Sequence, residues 1–368
     1  AFNIQPVKAE PTTIIVPDQY GKIQWAIGNA TAGDTIYVRA GTYDENVLVD
    51  KRLSLIGEDR YTTIIDGGKR KGAVIRVTAN NVVISSFTMQ NEGTGAGIYL
   101  YYADYCNITD NIVTNNPYGI YLYLSDYNNV SCNIITNDIA YGLFVRHSSY
   151  NTFIGNDITN NFSPVTLASG VRLEYSNYNT FPGNNIAQNK WGVFLYESSN
   201  NSVYLNNFIS NTVHAYVMFG SGNVWNDVYP YGGNYWDDYS GVDYYWGPNQ
   251  NIPGSDGIGD MPYIISVTEG NQDNYPWMTP LDYPFEATIR AYCYTEGTYV
   301  SVSIAQNGNP TGYNTPATFT VGVGTNFTVP NIDAAGHSFK QWNTGQTTTT
   351  ITVSGAGIYT AYYESVRD

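Results

Sequence analysis

Apolar and polar residues alternate in short stretches that recur along the middle of the chain with a nearly constant period. The recurring phrase is a glycine followed by an apolar, a variable and an apolar residue. Five copies begin at Gly97, Gly119, Gly142, Gly170 and Gly192, and a degraded copy begins at His214. Successive copies are 22, 23, 28, 22 and 22 residues apart. A unit of this size cannot bury its own apolar face and must stack on its neighbours, so the pattern predicts a solenoid.

Each repeat unit contains three short apolar stretches separated by polar corners. In the unit that begins at Gly119, Ile120 and Leu122 alternate with Tyr121, and Val130 and Ile135 follow after corners. This is strand periodicity, and a parallel sheet buried on its inner side has a continuous apolar column. That column reads Ile108, Val130, Phe153, Phe181, Val203 and Trp225. We therefore predict an all-β chain whose main part is a right-handed, three-faced parallel β-helix.

Asparagine recurs at the three corners of the predicted β-helix. Asparagine tolerates the left-handed backbone conformation of a tight corner, and its amide can bond to the amide of the next rung. The first column contains Asn128, Asn151, Asn179, Asn201 and Asn223. The second contains Asn111, Asn133, Asn156, Asn184 and Asn206, and the third contains Asn115, Asn137, Asn160, Gln188 and Ser210. These columns predict hydrogen-bonded ladders, and the repeat of 28 residues predicts a bulging loop near 162–169.

The repeats divide the chain into a tail, a β-helix and a second domain. In the tail, residues 1–12, Phe2 and Ile4 alternate with polar residues, as in a strand that adds to a sheet edge of another subunit. The β-helix is predicted over 13–285, with a helical cap at Gln19–Ala30 and an Asp- and Tyr-rich closing loop over 222–285. Seven short alternating stretches then predict a small β-sandwich over 286–368.

Composition excludes several classes of partner. The chain has 368 residues, of which only 13% are charged, and a net charge of −15. Nucleic acids and anionic lipid surfaces require a basic face, so neither is an expected partner. No apolar run is long enough to span a membrane. The three scattered cysteines do not form a disulfide pattern. The first residue is alanine, which fits a processed secreted protein or an artificially shortened chain.

Several phrases near the two ends of the predicted β-helix carry a family resemblance. The opening phrases are Ile23–Ile27, Ala32–Val38, Ala40–Tyr43, Glu45–Val47 and Leu53–Gly57; the closing phrases are Gly233–Tyr239, Asp256–Ile265 and Asp273–Met278. Residues 13–282 thus resemble the pectate-lyase superfamily, and most closely the NosD-like β-helices of archaeal surface proteins. The second domain resembles immunoglobulin-like modules appended to surface proteins. The resemblance implies a fold more than an activity, because this superfamily hosts lyases, hydrolases, esterases, adhesins and inert spacers.

The NosD resemblance also implies copper maturation. The chain has three His and four Met residues with no His/Met cluster, so no copper site is expected.

One column is predicted to point outward from a single face of the β-helix. It contains Tyr99, Tyr121, Phe144, Arg172, Phe194 and Tyr216. Rungs lie about 4.8 Å apart, so these side chains can stack and stabilise the sheet. The same ribbon suits a protein contact or a pyranose ring, and Arg172 can add a cation–π contact.

A charged group lies on three adjacent rungs of the same region. It contains Arg146, His147, Arg172, Glu174 and Glu197. A cation, an acid and a base together are what a polysaccharide lyase or hydrolase needs. The alternative is a set of surface ion pairs, each of which contributes little to stability.

Acidic residues crowd the predicted closing loop. They are Asp237, Asp238, Asp243, Asp256, Asp260 and Asp273. Oxygen ligands at short spacing suit a structural Ca²⁺ ion, although the spacing departs from that of an EF-hand. An acidic loop without an ion is the alternative.

Six sequons occur, and four of them are candidate glycosylation sites. They are Asn161, Asn326, Asn29 and Asn200. The first two, one in the inserted loop and one near a strand start, are the best acceptors.

The sequence therefore predicts an extracellular, non-enzymatic surface protein that self-associates into a layer or filament. A secreted polysaccharide lyase or hydrolase acting through the charged group is the rival hypothesis. A carbohydrate-binding adhesin using the aromatic column is a third.

Overall fold

Three parallel sheets wind around a common apolar core in the larger part of the protein. The computed structural model describes residues 11–91, 93–162, 168–282, 285–321, 325–343, 346–353 and 357–365. The predicted tail residues Phe2 and Ile4, and residues 163–167 of the predicted loop, lie outside these ranges. The sheets contain nine, eight and nine strands, and neighbouring strands come from successive rungs. The predicted parallel β-helix is confirmed.

We name the three sheets A, B and C. Sheet A contains Thr13–Val16, Thr35–Val38, Ser54–Gly57, Val83–Ser85, Asn107–Thr109, Asn129–Ser131, Thr152–Ile154, Thr180–Pro182 and Ser202–Tyr204. Sheet B contains Gly41–Asp44, Thr63–Asp66, Thr88–Gln90, Ile112–Thr114, Ile134–Thr136, Asp157–Thr159, Asn185–Ala187, Asn207–Ile209 and Tyr235–Trp236. Sheet C contains Val47–Val49, Ala73–Val77, Ala96–Tyr101, Tyr118–Tyr123, Tyr141–Arg146, Ser169–Glu174, Trp191–Tyr196 and Val213–Met218.

The N-terminal end of the β-helix is covered by one short helix, Ile23–Asn29, which is shorter than the predicted Gln19–Ala30. Ile23, Ala26 and Ile27 are buried against the first rungs. The first backbone N–H groups of a helix lack partners within it. Here the Glu45 carboxylate accepts from the N–H groups of Ile23 and Gln24 at 2.9 and 3.1 Å. A residue of the first rung therefore caps the helix.

Buried asparagines form ladders along all three corners. In the second column, the Asn133 side-chain oxygen accepts from the backbone N–H and the amide of Asn111, both at 3.0 Å. The Asn133 amide donates to the Asn156 side-chain oxygen at 3.0 Å and to the Ile108 carbonyl at 2.9 Å. The column from Asn128 to Asn223 is bonded in the same way. Each asparagine thus links three successive rungs.

The third ladder is one residue out of step with the prediction. Asn115, Asn137 and Asn160 have the expected left-handed backbone, with φ of 59°, 59° and 57°. The buried ladder is formed by the residues that follow them. These are Asn116, Asp138, Asn161, Asn189 and Asn211. Residues at the left-handed positions turn the chain, and the next residue points inward.

This third ladder explains the glycine that begins four of the five glycine-led repeats. A Cβ atom on Gly142 would lie 2.5 Å from the amide nitrogen of Asn161, and one on Gly170 would lie 2.7 Å from that of Asn189. Only glycine leaves room for these buried amides. The repeat phrase therefore reflects the space that the asparagine ladder requires.

Two ladders end on groups that accept hydrogen bonds. Asn206 bonds to the side-chain oxygen of Asn234, and the N–H of Asn234 donates to Asp273 at 2.6 Å. The same Asp273 oxygen accepts from Trp236 Nε1 at 2.9 Å. A carboxylate only accepts, so it ends the chain of donors. The third ladder ends at Asn211, whose side-chain amide lies 3.3 Å from His214 Nδ1. His214 occupies the position of the glycine that begins the other repeats.

The closing segment after sheet C contains two small antiparallel pairs. They are Tyr245–Trp246 with Ile252–Pro253, and Tyr263–Ser266 with Asn271–Asp273. Trp225 and Trp236 are fully buried and belong to the same core cluster as the β-helix. The aromatic rings therefore continue the core to its C-terminal end.

The chain divides between Thr279 and Pro280 into two compact units, a few residues before the predicted boundary. The second unit has two sheets with a shared core that includes Phe327, Trp342 and Tyr363, which is the predicted sandwich. One sheet contains Thr298–Tyr299, Phe285–Cys293, Gly357–Ser365, His337–Trp342 and Ala317–Val321; the other contains Asn309–Asn314, Ser303–Gln306, Asn326–Thr328 and Thr350–Thr352. Phe285–Cys293 and Gly357–Ser365 are paired in parallel.

We expect the β-helix to become less stable as the pH rises from about 4 to about 7. Burial raises the pKa of Asp157 from 3.8 to about 7 and that of Asp273 to about 6. Between these pH values the folded chain binds more protons than the unfolded chain, so stability is lost as the pH rises. One pKa unit corresponds to about 1.4 kcal/mol, so the combined effect of the two groups is on the order of 5 kcal/mol. Melting temperatures at pH 5 and pH 7.5 measure it, and the Asp157→Asn variant should show a smaller difference.

Candidate functional site

The outer face of sheet C carries the predicted aromatic column in register. Tyr99 pairs with Tyr121, Tyr121 with Phe144, Phe144 with Arg172, Arg172 with Phe194 and Phe194 with Tyr216. The centroids of the Tyr99 and Tyr121 rings are 4.8 Å apart, and those of Tyr121 and Phe144 are 4.6 Å apart. Parallel strand pairing thus places the column at the spacing of the rungs.

The stacking hides the ring faces. The planes of Tyr99 and Tyr121 differ by 19°, and those of Tyr121 and Phe144 by 17°. The facing sides of these rings therefore cover one another. Phe144 and Phe194 are buried, with 6% and 4% of their surface exposed. A pyranose needs an open ring face, so the geometry disfavours a sugar platform along this column.

Arg172 is a buried cation within the column. Its guanidinium carbon lies 4.4 Å from the centroid of the Phe194 ring and 5.2 Å from that of Tyr141. Its Nε donates to Glu174 at 2.7 Å, and Arg146 Nε lies 3.4 Å from the other Glu174 oxygen. Both carboxylate oxygens therefore face a cation.

The other two charged candidates lie at the corner that follows sheet C. The His147 ring stacks on Tyr175 with centroids 4.9 Å apart. A hydrogen bond to Glu197 raises the pKa of the Tyr196 hydroxyl to about 12. The structure therefore brings Arg146, Arg172 and Glu174 together, whereas His147 and Glu197 each contact a tyrosine.

A second aromatic row escaped the sequence analysis. We call Tyr105, Tyr127, Tyr150 and Tyr178 the corner tyrosine ladder, since they lie at the corner between sheets C and A. Successive centroids are 5.1 Å apart, and the ring planes differ by 7°, 6° and 3°. Each residue is between 48% and 57% exposed. The signal was present in the sequence, because a tyrosine precedes a corner position in four successive repeats.

The backbone of this corner is held by a row of short polar side chains. The Asp104 carboxylate accepts from the N–H of Asp126 at 2.8 Å, and that of Asp126 accepts from Ser149 at 2.7 Å. The Ser149 hydroxyl accepts from Asn177 at 3.1 Å. These hydrogen bonds join the backbone of each rung to the next, so they hold the backbone beneath the corner tyrosine ladder in place.

The acidic residues of the closing segment do not share one site, and calcium is not supported. Asp243 accepts from Ser255 Oγ and the N–H of Gly257, at 2.6 and 2.8 Å. Asp260 accepts from the N–H groups of Tyr244 and Tyr245. Asp256 accepts from Ile258 and Gln250. Asp273 ends an asparagine ladder, so these carboxylates stabilise turns and caps.

Asp237 and Asp238 lie beside His214. His214 Nε2 is 2.8 Å from an Asp237 oxygen and 3.4 Å from an Asp238 oxygen. Among the described residues of the β-helix, this group alone brings three His, Cys, Asp or Glu ligand atoms within 4.8 Å. One imidazole and two carboxylates include no thiolate or thioether, the ligands that Cu(I) prefers. The set does not fit a copper centre of that kind.

The structure corrects the glycosylation hypothesis at Asn161. This side chain is fully buried, and its amide donates to the Ile135 carbonyl at 3.1 Å and to Asn189 at 3.2 Å. A glycan on this nitrogen would break the third ladder. Asn29 and Asn200 are exposed, and Asn326 is half-buried with its side-chain oxygen bonded to Thr352.

No helix in the described part of the chain has the length and apolar content that crossing a membrane requires.

Three known proteins show what the chain is similar to. A cell surface glycoprotein of Methanothermus fervidus is 35% identical over 109 residues, which cover 29% of this chain and 18% of that relative. The pectin methylesterase of carrot is 12% identical, covering 62% of this chain and 86% of the other at a TM-score of 0.35. The A-module of a mannuronan C-5 epimerase of Azotobacter vinelandii is 13% identical. The match covers 58% of this chain and 86% of the other at a TM-score of 0.34. Structural likeness at this level does not bear on activity.

The match to a protein family is more extensive. The family is described as periplasmic copper-binding protein (NosD), and its model matches residues 27–241. The matched range begins in the helical cap and ends in the closing segment, so it contains every complete rung of the β-helix. The chain belongs to the NosD family.

Proposed function

We propose that this protein is an extracellular structural component of a cell surface, which associates with copies of itself through the corner tyrosine ladder. The similarity to a cell surface glycoprotein supports the location. The main support for self-association is the corner tyrosine ladder. Four parallel tyrosines, each about half exposed, form an uncharged row on a chain whose net charge is −15. Tyrosine is enriched at protein interfaces because it combines a large apolar body with a hydroxyl group.

The rigidity of the row favours association. An interface loses free energy when flexible side chains must be ordered on binding. The stacked rings of Tyr127 and Tyr150, with planes 6° apart, are already ordered by their neighbours. The ring faces are covered by their neighbours and about half of each side chain is exposed, which suits contact with another protein surface more than stacking on a sugar.

The charged group supports an enzymatic role poorly. A lyase or hydrolase needs an acid or base that is free to exchange a proton with substrate. Glu174 is neutralised by Arg172 and Arg146, and the side chains of Glu174 and Arg172 are only 16% and 10% exposed. These three residues are better explained as an ion cluster that joins two neighbouring strands of sheet C, Tyr141–Arg146 and Ser169–Glu174.

Replacing Tyr127 and Tyr150 together by serine should weaken self-association at least tenfold and leave the melting temperature nearly unchanged. Both side chains are exposed, so their loss removes contact surface and little core. Analytical ultracentrifugation over a range of concentrations, with electron microscopy of the largest species, measures the effect on the full chain.

The matched control replaces Tyr244 and Tyr313, which are 68% and 63% exposed and lie outside the ladder, by serine. It should associate like the wild type. A wild-type chain that stays monomeric at every concentration would contradict the proposal. Depolymerisation of a polysaccharide by the wild type, lost in Glu174→Gln, would instead establish the enzymatic alternative.

A further inference from the structure

A cysteine, a glutamate and a histidine converge in the second unit. Cys293 ends the strand Phe285–Cys293, Glu296 lies in the turn that follows, and His337 begins the strand His337–Trp342. Their ligand atoms all lie within 4.8 Å of one another. His337 Nε2 is 3.1 Å from a Glu296 oxygen. Strand pairing thus places a sulfur, a nitrogen and an oxygen around one point.

The histidine is oriented by a fourth residue. His337 Nδ1 lies 2.5 Å from an Asp333 oxygen. The other Asp333 oxygen accepts from the N–H groups of Ala335 and His337, at 2.9 and 2.8 Å. The imidazole is therefore fixed with Nε2 directed at Glu296. Metal-bound histidines almost always have such a carboxylate on their second nitrogen, since it sets the tautomer and the ring orientation.

We propose that Cys293, Glu296 and His337 bind a Zn²⁺ ion, with Asp333 as the positioning residue. Zinc takes thiolate, imidazole and carboxylate ligands at about 2.0–2.3 Å, and three protein ligands leave a fourth position for water. The ion replaces the contact between Nε2 and the carboxylate. As the zinc–sulfur and zinc–nitrogen bonds form, the Cys293 thiol and His337 Nε2 release their protons to solvent, and Nδ1 keeps its proton on the Asp333 side. A thiolate and a carboxylate then neutralise the ion.

The burial of the three ligands suits an ion that enters from one side. The Cys293 residue is fully buried, and its sulfur lies 3.2 Å from Thr295 Oγ1. The His337 side chain is 9% exposed and that of Glu296 is 44% exposed. Glu296 is therefore the ligand that can swing out to admit the ion. The site lies outside residues 27–241, so it is separate from the part of the chain that matches the NosD family.

Isothermal titration of the chelator-treated full chain with ZnCl₂ tests the proposal. We expect one equivalent to bind and the melting temperature to rise with zinc concentration, because the ion binds only the folded site. Co²⁺ in place of Zn²⁺ should give the absorption of a thiolate–cobalt bond. Glu296→Gln, at an exposed position, should weaken binding without unfolding the unit, and Asp333→Asn should weaken it roughly 10- to 100-fold.

Cys132→Ser is the matched control, because Cys132 is an exposed thiol in the other unit. It should bind zinc like the wild type, whereas Cys293→Ser should lose the thiolate–cobalt absorption. Absence of binding at one equivalent would overturn the proposal. So would binding that survives Cys293→Ser and Glu296→Gln, since the ion would then lie elsewhere and Asp333, His337 and Glu296 would form an ion cluster only.

Discussion

Replacing Asn133 by alanine should lower the free energy of unfolding by about 3–5 kcal/mol. The Asn133 side chain takes part in four hydrogen bonds, which join it to Asn111, Asn156 and the Ile108 carbonyl. It is 1% exposed, so water cannot replace these partners. The variant leaves the backbone N–H of Asn111 buried without an acceptor, and this accounts for much of the loss. Chemical denaturation monitored by circular dichroism measures it.

Asn129→Ala is the matched control in the same rung. Asn129 is half-buried on the outer side of sheet A, where its amide donates to Asn107 at 2.9 Å and to Ser131 at 3.2 Å. Water can take over these bonds, so the variant should lose less than about 1 kcal/mol. Similar losses for the two variants would show that the buried ladder contributes no more than surface hydrogen bonds.

Replacing Asp138 by asparagine should raise the free energy of unfolding by about 1–3 kcal/mol at pH 7. Asp138 occupies a position of the third ladder where Asn116, Asn161 and Asn189 have amides. Its Oδ1 accepts from the N–H of Asn116 at 2.8 Å, but its Oδ2 is buried with no hydrogen-bond partner. Asn161, one rung further, donates from this position to the Ile135 carbonyl. An amide therefore supplies the donor that a carboxylate lacks.

The gain from Asp138→Asn should depend on pH. Burial raises the pKa of Asp138 well above its usual value, because the charged form is desolvated. A protonated carboxyl group can donate, so the wild type recovers stability in acid and the difference between the two proteins should shrink. Asp126→Asn, at a half-buried corner position where an acceptor suffices, should change stability by less than about 0.5 kcal/mol. A less stable Asp138→Asn variant would contradict our account of the ladder.

The 22-residue repeat allowed the parallel β-helix to be predicted from the sequence. Inward columns and two of the three asparagine ladders could be predicted, because a constant period places equivalent residues above one another. The third column was one residue out of step. Asn115 turns the chain and Asn116 enters the ladder, and both are asparagines, so the period alone could not separate them.

The ends of the β-helix were harder to predict than its middle. Asp273 terminates a ladder from a position 39 residues after Asn234. No period connects the two, so the sequence pattern indicates only that Asp273 lies among other acidic residues. Asn161 was assigned to an exposed loop because it adjoins the inserted residues, yet its side chain is buried.

The site was predicted only in part for a different reason. Register placed Arg172 and Glu174 on the outer face of sheet C, but which charges pair depends on side-chain conformation. The corner tyrosine ladder was overlooked because tyrosine is common in this chain, with 35 residues. Its meaning emerges only when four rings are seen in parallel.

The dedicated acceptors at the end of the β-helix make its length adjustable. At the last rung the N–H of Asn234 donates to Asp273 and the Asn211 amide reaches His214 Nδ1, whereas most inner rungs repeat the same ladder donors and acceptors. Duplicating one unit, such as 170–191, which has an asparagine in all three ladders, would insert a rung without disturbing either terminus. Each duplicated unit would thus lengthen the β-helix by one strand spacing, about 4.8 Å. The length of the β-helix can therefore change by whole rungs while its fold and both of its ends stay the same.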